Sequence, residues 1–300
     1  MFRCVAEGFT LHSFIYIWET HDVTAPIGPT VRRHQLARAL RLLRLEANCS
    51  VMDAAHALRC SRPKIQHLES GRNLPSYPDL ESLLRRYGRS DLLDQLDEIR
   101  VAAEERGWWT TYRLPPVLQA YVGLETDACA VRCFALELVP GLLQTQEYAR
   151  ATLERWGSTD AEVERGVRVR MERQRRLDIE LGLTVVMSEA LLWRTMHMGS
   201  VGADQLEHMV GAGRPGVELY VVPFAVGGHR SMSGSFTLLD FPDGALGTVA
   251  YQEYAVGGHL VDEDDAVAKL AELFHDLREQ ALDQRSSAAL ITDFAAKAKS

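Results

Sequence analysis

Residues 49–75 constrain the fold most, because they place two short helical segments on either side of a tight turn. Ser50 and Ser61 are suited to cap helix N-termini, and Asp53, three residues after Ser50, adds a partial capping box. Pro63 falls in the first turn of the second segment, where its missing N–H group costs nothing. The pattern predicts two short helices, the second beginning at Ser61.

The two faces of these helices differ in chemistry. Ala54 and Ala55 are small, as two closely crossing helices require, and Ile65 and Leu68 fall at the i and i+3 positions of an inward face. The polar side chains of the second helix point elsewhere: Arg62, Lys64, Gln66 and His67. This arrangement predicts a helix-turn-helix, with a recognition helix at about 61–70 that enters the DNA major groove.

The charge distribution agrees with this interpretation. The chain of 300 residues has a net charge of −8, from 33 basic and 41 acidic side chains, which by itself argues against a nucleic-acid ligand. Residues 31–90, however, contain twelve of the basic and five of the acidic side chains. A basic segment on an acidic chain suggests one module that faces DNA and another that does not. The alternative is a helical hairpin with a solvated basic face.

Further amphipathic segments surround the pair. Leu36, Leu40 and Leu43 give residues 31–47 one apolar face, and apolar positions recur along residues 77–87. A last helix is expected from Ser90 to about Glu105. We therefore predict an all-α, five-helix domain at residues 31–106, after an extension at residues 1–30 of little functional weight.

Candidate DNA contacts follow from the position of each polar group. Arg62 can pair with guanine, and Gln66 and His67 can reach bases one turn further on. Phosphate contacts, which give affinity without sequence information, are expected from residues at the rim of the helix and on the first helix. The expected DNA-binding set is Ser61, Arg62, Lys64, Gln66, His67, Arg72, Asn73, Arg32 and Arg33.

Residues 107–300 predict an α+β domain. Strand-like segments occur at 131–139, 183–187, 217–224, 235–241 and 248–254, and helical segments at 145–156, 160–177, near 203–211 and from the acidic run at 262–265 to about 280. Ser286 and Ser287 are expected to cap a last helix. Arginines crowd residues 165–176, where interleaved acidic residues favour local ion pairs.

Several classes of function are not expected. No nucleophile elbow, glycine-rich phosphate loop or Cys/His pairing is recognisable, so the sequence predicts neither an enzyme nor a cofactor. His229 and His259 follow repeated Ala-Val-Gly-Gly segments, but two histidines alone do not make a metal centre. The five cysteines fit reduced thiols, and the sequence has no apolar run of membrane-spanning length, so a cytoplasmic protein with no membrane partner is expected.

Residues 31–105 resemble the XRE/Cro-repressor-like helix-turn-helix domain. The resemblance rests on residues in that family's order and spacing: Ser50, Ala55, Leu58, Ser61, Ile65, Leu68, Glu69, Gly71, Arg72 and Pro75. Beyond it, the chain resembles the actinomycete WhiJ-like, antitoxin-like regulators, whose C-terminal domain has no settled function. That resemblance is carried by residues 107–112, 121–125, 138–145 and 236–242.

Two positions depart from the family pattern. Val51 stands where glutamine often contacts the DNA backbone, and Arg59 stands in the turn where glycine is usual. A non-glycine residue there must adopt a strained or altered turn. Glu69 is expected to pair within the domain rather than to contact a base.

The sequence therefore predicts a transcriptional regulator that binds double-stranded DNA as a homodimer. Its C-terminal domain is expected to bind a partner protein or an effector. The alternative is an antitoxin-like interaction protein that sequesters a small acidic partner, as the family resemblance implies, and autoregulates its own operon.

Overall fold

The structure is a computed structural model that describes residues 27–178, 181–211, 215–242 and 246–299. The extension expected at residues 1–30 lies almost entirely outside the described residues. The chain divides into two compact units. The first comprises the described residues up to Thr110 together with those of 241–247, and the second comprises residues 111–240 and 248–300.

The first unit is helical. Its elements are α1 (Pro29–Glu46), α2 (Val51–Ala57), α3 (Arg62–Glu69), α4 (Tyr77–Tyr87) and α5 (Leu93–Ala102), with a 3₁₀ turn at Ser90–Leu92 before α5. The expected capping box of α2 is present, because the Asp53 N–H group donates to Ser50 Oγ and the Ser50 N–H group donates to Asp53 Oδ2. Helix α4 is followed by its C-cap, Gly88, in the left-handed conformation. Glycine adopts this conformation at little steric cost because it has no Cβ atom.

The leucine pattern of the sequence forms the core of this unit. Leu36, Leu40 and Leu43 of α1 are buried, as predicted. Ala54, Ala55, Ile65, Leu68, Leu80, Leu83, Leu84, Tyr87, Leu96 and Ile99 complete the same cluster. Burying this many apolar side chains supplies the main driving force for a unit of this size.

The second unit contains helices and a six-stranded sheet. The strands are β1 (Ala130–Ala135), β2 (Gly182–Ser188), β3 (Val217–Val222), β4 (Phe236–Asp240), β5 (Val249–Tyr254) and β6 (Gly257–Val261). The helices are α6 (Pro116–Asp127), α7 (Gln146–Arg155), α8 (Asp160–Gln174), α9 (Glu189–Met196), α10 (Ser200–Gly211), α11 (Asp264–Gln280) and α12 (Gln284–Ala298).

The sheet is mixed, with the order β3-β2-β1-β4-β5-β6. Strands β1, β2 and β3 are parallel, and α7–α8 and α9–α10 lie between them in the chain, as parallel crossovers require. Strands β4, β5 and β6 continue the sheet in antiparallel pairs. An α/β half is thus joined to an antiparallel half, which the expectation of an α+β domain did not anticipate.

Both faces of the sheet carry packed side chains. Phe134, Phe236 and Leu238 pack with Phe274 of α11 on one face. On the other face, the rings of Tyr121 and Tyr251 stack with their centroids 4.3 Å apart. Beside them the Glu125 carboxylate accepts two hydrogen bonds from Arg173, at 2.7 and 2.6 Å, and one from the Tyr121 hydroxyl.

Several expected elements need correction. Sequence inspection missed α6, α9 and β6, and it placed the cap of the last helix too late in the chain. Its cap is Asp283, whose carboxylate accepts from the Ser286 N–H group, so Ser286 and Ser287 lie inside the first turn. The acidic run does open α11, with Asp264 and Asp265 in its first turn. Among the described residues, no helix is both long and apolar enough to cross a membrane.

Candidate nucleic-acid interface

A tight turn sets the angle between α2 and α3. Helix α2 ends at Ala57 with Leu58 as its C-cap, and Arg59 follows with a φ angle of 49°, in the left-handed region. The Cys60 N–H group then donates to the Ala55 carbonyl at 2.9 Å. The expectation of a strained turn at Arg59 is therefore confirmed, since side chains with a Cβ atom rarely adopt this conformation.

A buried ion pair fixes the C-terminal end of α3. Arg44 of α1 donates from Nε to Glu69 Oε1 at 2.6 Å and from Nη2 to Glu69 Oε2 at 2.9 Å. Its Nη1 group donates to the Cys49 carbonyl at 3.0 Å, just before α2. The hydrogen bond with Glu69 raises the pKa of Arg44. One guanidinium thus joins α1, α3 and the start of α2, and the expected structural role of Glu69 is confirmed.

The exposed face of α3 and its N-cap residue present three of the expected contacts to solvent. Arg62 and Gln66 are exposed, four residues apart on the helix and therefore neighbours on its surface. Ser61 occupies the N-cap position, but its side chain makes no capping hydrogen bond, contrary to the expectation from its residue type. An exposed arginine and an exposed amide on one helix face have the donors and acceptors that base edges require.

Lys64 has a partner that the sequence analysis missed. Its ammonium donates to Asp79 Oδ2 at 2.8 Å, in an ion pair between α3 and α4. Asp79 is held in the first turn of α4, where its N–H group donates to the capping Ser76 hydroxyl. The sequence from Ser76 to Asp79 indicates a helix cap. It does not indicate that α4 lies close enough to α3 for Asp79 to reach Lys64. A phosphate contact by Lys64 must compete with this carboxylate.

Three of the remaining candidates form a group at the end of α3. Arg72 Nη1 lies 3.2 Å from His67 Nε2, so the guanidinium can donate to the unprotonated ring nitrogen. The Asn73 N–H group donates to the His67 carbonyl at 3.1 Å. Arg72 and Asn73 are exposed and His67 is half-buried. The structure therefore brings these residues together at the C-terminal end of α3.

The two arginines of α1 are placed differently from this group. Arg32 donates to Gln35 at 3.2 Å within its own helix. Arg33 is half-buried, donates from Nη2 to the Ala103 carbonyl at 3.4 Å, and runs beside the left-handed Gly71. Burial lowers the pKa of Arg33. Arg33 thus packs inside the helical unit rather than extending from it, which makes it the weakest of the phosphate candidates.

The turn itself supplies a basic group that the sequence analysis did not place among the contacts. Arg59 is exposed and lies between α2 and α3, two residues before Ser61. Its charge alone is enough to place it among the candidate phosphate contacts. Within the described part of the chain, no cluster of three or more His, Cys, Asp or Glu residues could hold a metal ion.

Comparison with known families agrees with the two units. Residues 35–96 match the family described as a helix-turn-helix domain. Residues 118–293 match the family described as a domain of unknown function, DUF5753. No curated protein and no solved structure matches the chain.

Proposed function

We propose that this chain, which belongs to the DUF5753 family and carries a helix-turn-helix domain before that region, is a sequence-specific transcriptional regulator. Its α3 helix lies in the major groove of double-stranded DNA. Arg62 and Gln66 contact base edges, and Arg72 and Asn73 contact phosphates. The protein acts in the cytoplasm by binding rather than by catalysis.

This proposal rests on two properties of α3: one side is fixed by buried contacts, and the other side is polar and exposed. The Arg44–Glu69 pair and the buried Ile65 and Leu68 hold one side of α3. Arg62 and Gln66 remain exposed on the other side. A recognition helix needs both properties, since base contacts require side chains held in a fixed register against the groove.

The short length of the recognition helix suggests that two copies of the chain bind one DNA site. A helix of eight residues, such as α3, contacts only a few base pairs. Two copies on a palindrome, with half-sites about 34–36 Å apart, double the contacts without a new surface. We therefore include a homodimer in the proposal, as in the XRE-type regulators that residues 31–105 resemble.

The role of the second unit is proposed more broadly. The WhiJ-like resemblance suggests that it binds a partner protein or an effector that controls the DNA-binding unit. An antitoxin-like protein that sequesters a small acidic partner and represses its own operon is the second candidate. The half-buried Arg165 and the exposed Arg168 favour it in part, because an acidic partner would need such cationic groups.

The test is binding to the DNA upstream of its own gene across a salt series. A specific complex shows a steep negative slope of log affinity against log salt, because each phosphate contact releases counterions. Arg62→Ala should weaken binding by about 1–3 kcal/mol at one base position and relax specificity there. Arg230→Ala is the matched control, since Arg230 is an exposed arginine of the second unit that pairs with Asp276.

Two outcomes decide the proposal. Loss of specific binding in Arg62→Ala, with normal binding in Arg230→Ala, supports α3 as the recognition helix. If Arg62→Ala and Lys64→Ala together leave operator binding unchanged, the assignment of α3 is wrong.

A further inference from the structure

An open cleft of about 500 Å³ lies on the second unit. Its lining consists of Thr111, Tyr112, Arg113, Ala161, Arg165 and Arg168. The volume falls within the range of about 300–1,000 Å³ that is usual for small-molecule sites. The lining combines a short segment, residues 111–113, with one face of α8.

The charged groups that line this cleft all have the same sign. Ala161, Arg165 and Arg168 fall at the i, i+4 and i+7 positions of α8, so they share a face. Arg113 adds a third guanidinium from the facing segment. Within the described parts of the chain, no carboxylate forms an ion pair with any of the three. Three positive charges around one cleft favour an anionic ligand.

Two acidic residues of α8 that adjoin the cleft lining in sequence are already engaged. Glu162 accepts from the N–H group and the hydroxyl of Thr159 in the N-terminal capping box of α8. Glu164 accepts from Arg150 of α7 at 2.6 Å. Their carboxylates therefore attenuate the positive potential without neutralising the three guanidiniums directly.

The other arginines of this region are used differently. Arg173 is buried against Glu125, and Arg176 donates to the carbonyls of Glu125 and Ala128. Arg175 pairs with Glu172 three residues before it. Local ion pairs, expected along this whole segment, thus describe Arg175 but not the arginines of the cleft. The cleft arginines therefore take no part in the Arg173–Glu125 ion pair.

Arg113 is held in an uncommon backbone conformation. Its φ angle is 51°, in the left-handed region, where a residue with a Cβ atom is disfavoured. Glycine would adopt this conformation at lower cost. Strained non-glycine residues cluster at ligand sites, and here the strained residue carries one of the three cleft guanidiniums.

We propose that this cleft binds a small molecule that carries a diphosphate group. Guanidiniums bind phosphate oxygens in bidentate geometry, and three of them match a ligand with more than one phosphate. The cleft is also larger than one phosphate requires, and the Tyr112 ring offers an apolar surface for the rest of the ligand.

The proposal deepens the proposed function, on which its regulatory meaning rests, by naming the chemical class of the effector. The cleft segment begins at Thr111, directly after the helical unit in the chain. A ligand there can regulate DNA binding only through a difference in affinity between the free and DNA-bound forms. Ligand binding itself does not depend on that coupling.

The test is isothermal titration calorimetry, in which the full chain is titrated separately with inorganic pyrophosphate, ADP and inorganic phosphate. Pyrophosphate and ADP should bind saturably at one site per chain, and phosphate more weakly. Two variants remove guanidiniums from the cleft: Arg113→Gly, which also relieves the strained φ angle, and the double variant Arg165→Ala/Arg168→Ala. Each should weaken pyrophosphate binding about tenfold or more, because charge-assisted hydrogen bonds are lost.

Arg175→Ala is the matched control, because Arg175 lies just beyond α8 with its side chain 74% exposed and paired outside the cleft. It should bind pyrophosphate like the unaltered protein. Absence of saturable binding by both pyrophosphate and ADP would overturn the proposal. So would equal loss in Arg175→Ala, which indicates a nonspecific charge effect, or unchanged binding in both cleft variants when far-UV circular dichroism shows them folded.

Operator binding by the same variants separates the two proposals. If the Arg165→Ala/Arg168→Ala protein loses DNA binding and the unaltered protein binds no pyrophosphate, the arginines contact the DNA backbone and the small-ligand assignment is wrong. If the unaltered protein binds pyrophosphate at the cleft but no DNA, the cleft assignment stands and the proposed function fails.

Discussion

Arg44 and Glu69 form a two-pronged ion pair, with N···O distances of 2.6 and 2.9 Å, between the last turn of α1 and the last residue of α3. Their side chains are only 9% and 10% exposed. Neither charge has ready access to water, so each depends on the other for its stability in the folded unit. The orientation of the proposed recognition helix is tied to this pair.

Glu69→Gln should therefore destabilise the helical unit by about 3 kcal/mol, because it leaves the buried Arg44 guanidinium without its counter-charge. Denaturant unfolding of the full chain, followed by circular dichroism, measures the change. Glu81→Gln is the matched control, since Glu81 forms an exposed pair with Arg85 on α4. It should cost less than about 1 kcal/mol. Equal losses in the two variants would show that the burial of the Arg44–Glu69 pair is unimportant.

The helical unit was largely predictable because its signals are local. The spacing of Ser50 and Asp53 predicts a capping box. The spacing of Leu36, Leu40 and Leu43 predicts an apolar helix face. The sheet was less so, since strand order depends on contacts distant in sequence. Strand β6, Gly257–Val261, contains two glycines and a histidine, so its strand propensity is weak and its pairing with β5 decides its structure.

Arg59→Gly should stabilise the helical unit by about 0.5–1 kcal/mol, because glycine adopts the observed φ angle of 49° without steric cost. The midpoint of thermal or denaturant unfolding reports the gain. Arg59→Ala removes the same charge but keeps a Cβ atom, so it should give no comparable gain. If alanine stabilises as much as glycine, charge repulsion rather than backbone strain explains the effect.

The capping box of α2 should contribute to the pH dependence of the free energy of unfolding. Hydrogen bonds from the Ser50 hydroxyl and N–H group lower the pKa of Asp53. A carboxyl whose pKa is lower in the folded state stabilises the fold above its unfolded pKa of about 3.9, and this contribution is lost as the pH falls through the folded value. Stability should therefore decrease below about pH 4, in part through Asp53.

Two variants isolate that contribution in urea unfolding measured between neutral pH and about pH 3. Asp53→Asn should flatten the acid limb most, because the ionisable group is gone. Ser50→Ala should give an intermediate slope, since it removes the hydroxyl but leaves the N–H donor. A wild-type acid limb in Asp53→Asn would exclude this origin.

The candidate interface was predictable as a set of residue types but not as a set of available groups. Arg62 and Gln66 are exposed as the helical period requires. Lys64 lies on the same helix, yet Asp79, fifteen residues later, occupies its ammonium. Arg33 packs inward, where its guanidinium donates to the carbonyl of Ala103, just after α5. Such pairings follow from tertiary packing, which no local spacing encodes.

Asp79→Asn should increase the affinity for operator DNA, because it releases the Lys64 ammonium for a phosphate and removes a negative charge beside α3. A released lysine that gains a phosphate contact should steepen the slope of log affinity against log salt by about 1. Glu81→Gln removes the same charge from α4 without touching Lys64, so it controls for the change in net charge. A steeper slope in Asp79→Asn alone, abolished by adding Lys64→Ala, would establish that Asp79 holds Lys64 away from DNA. Equal slopes in Asp79→Asn and Glu81→Gln would contradict it.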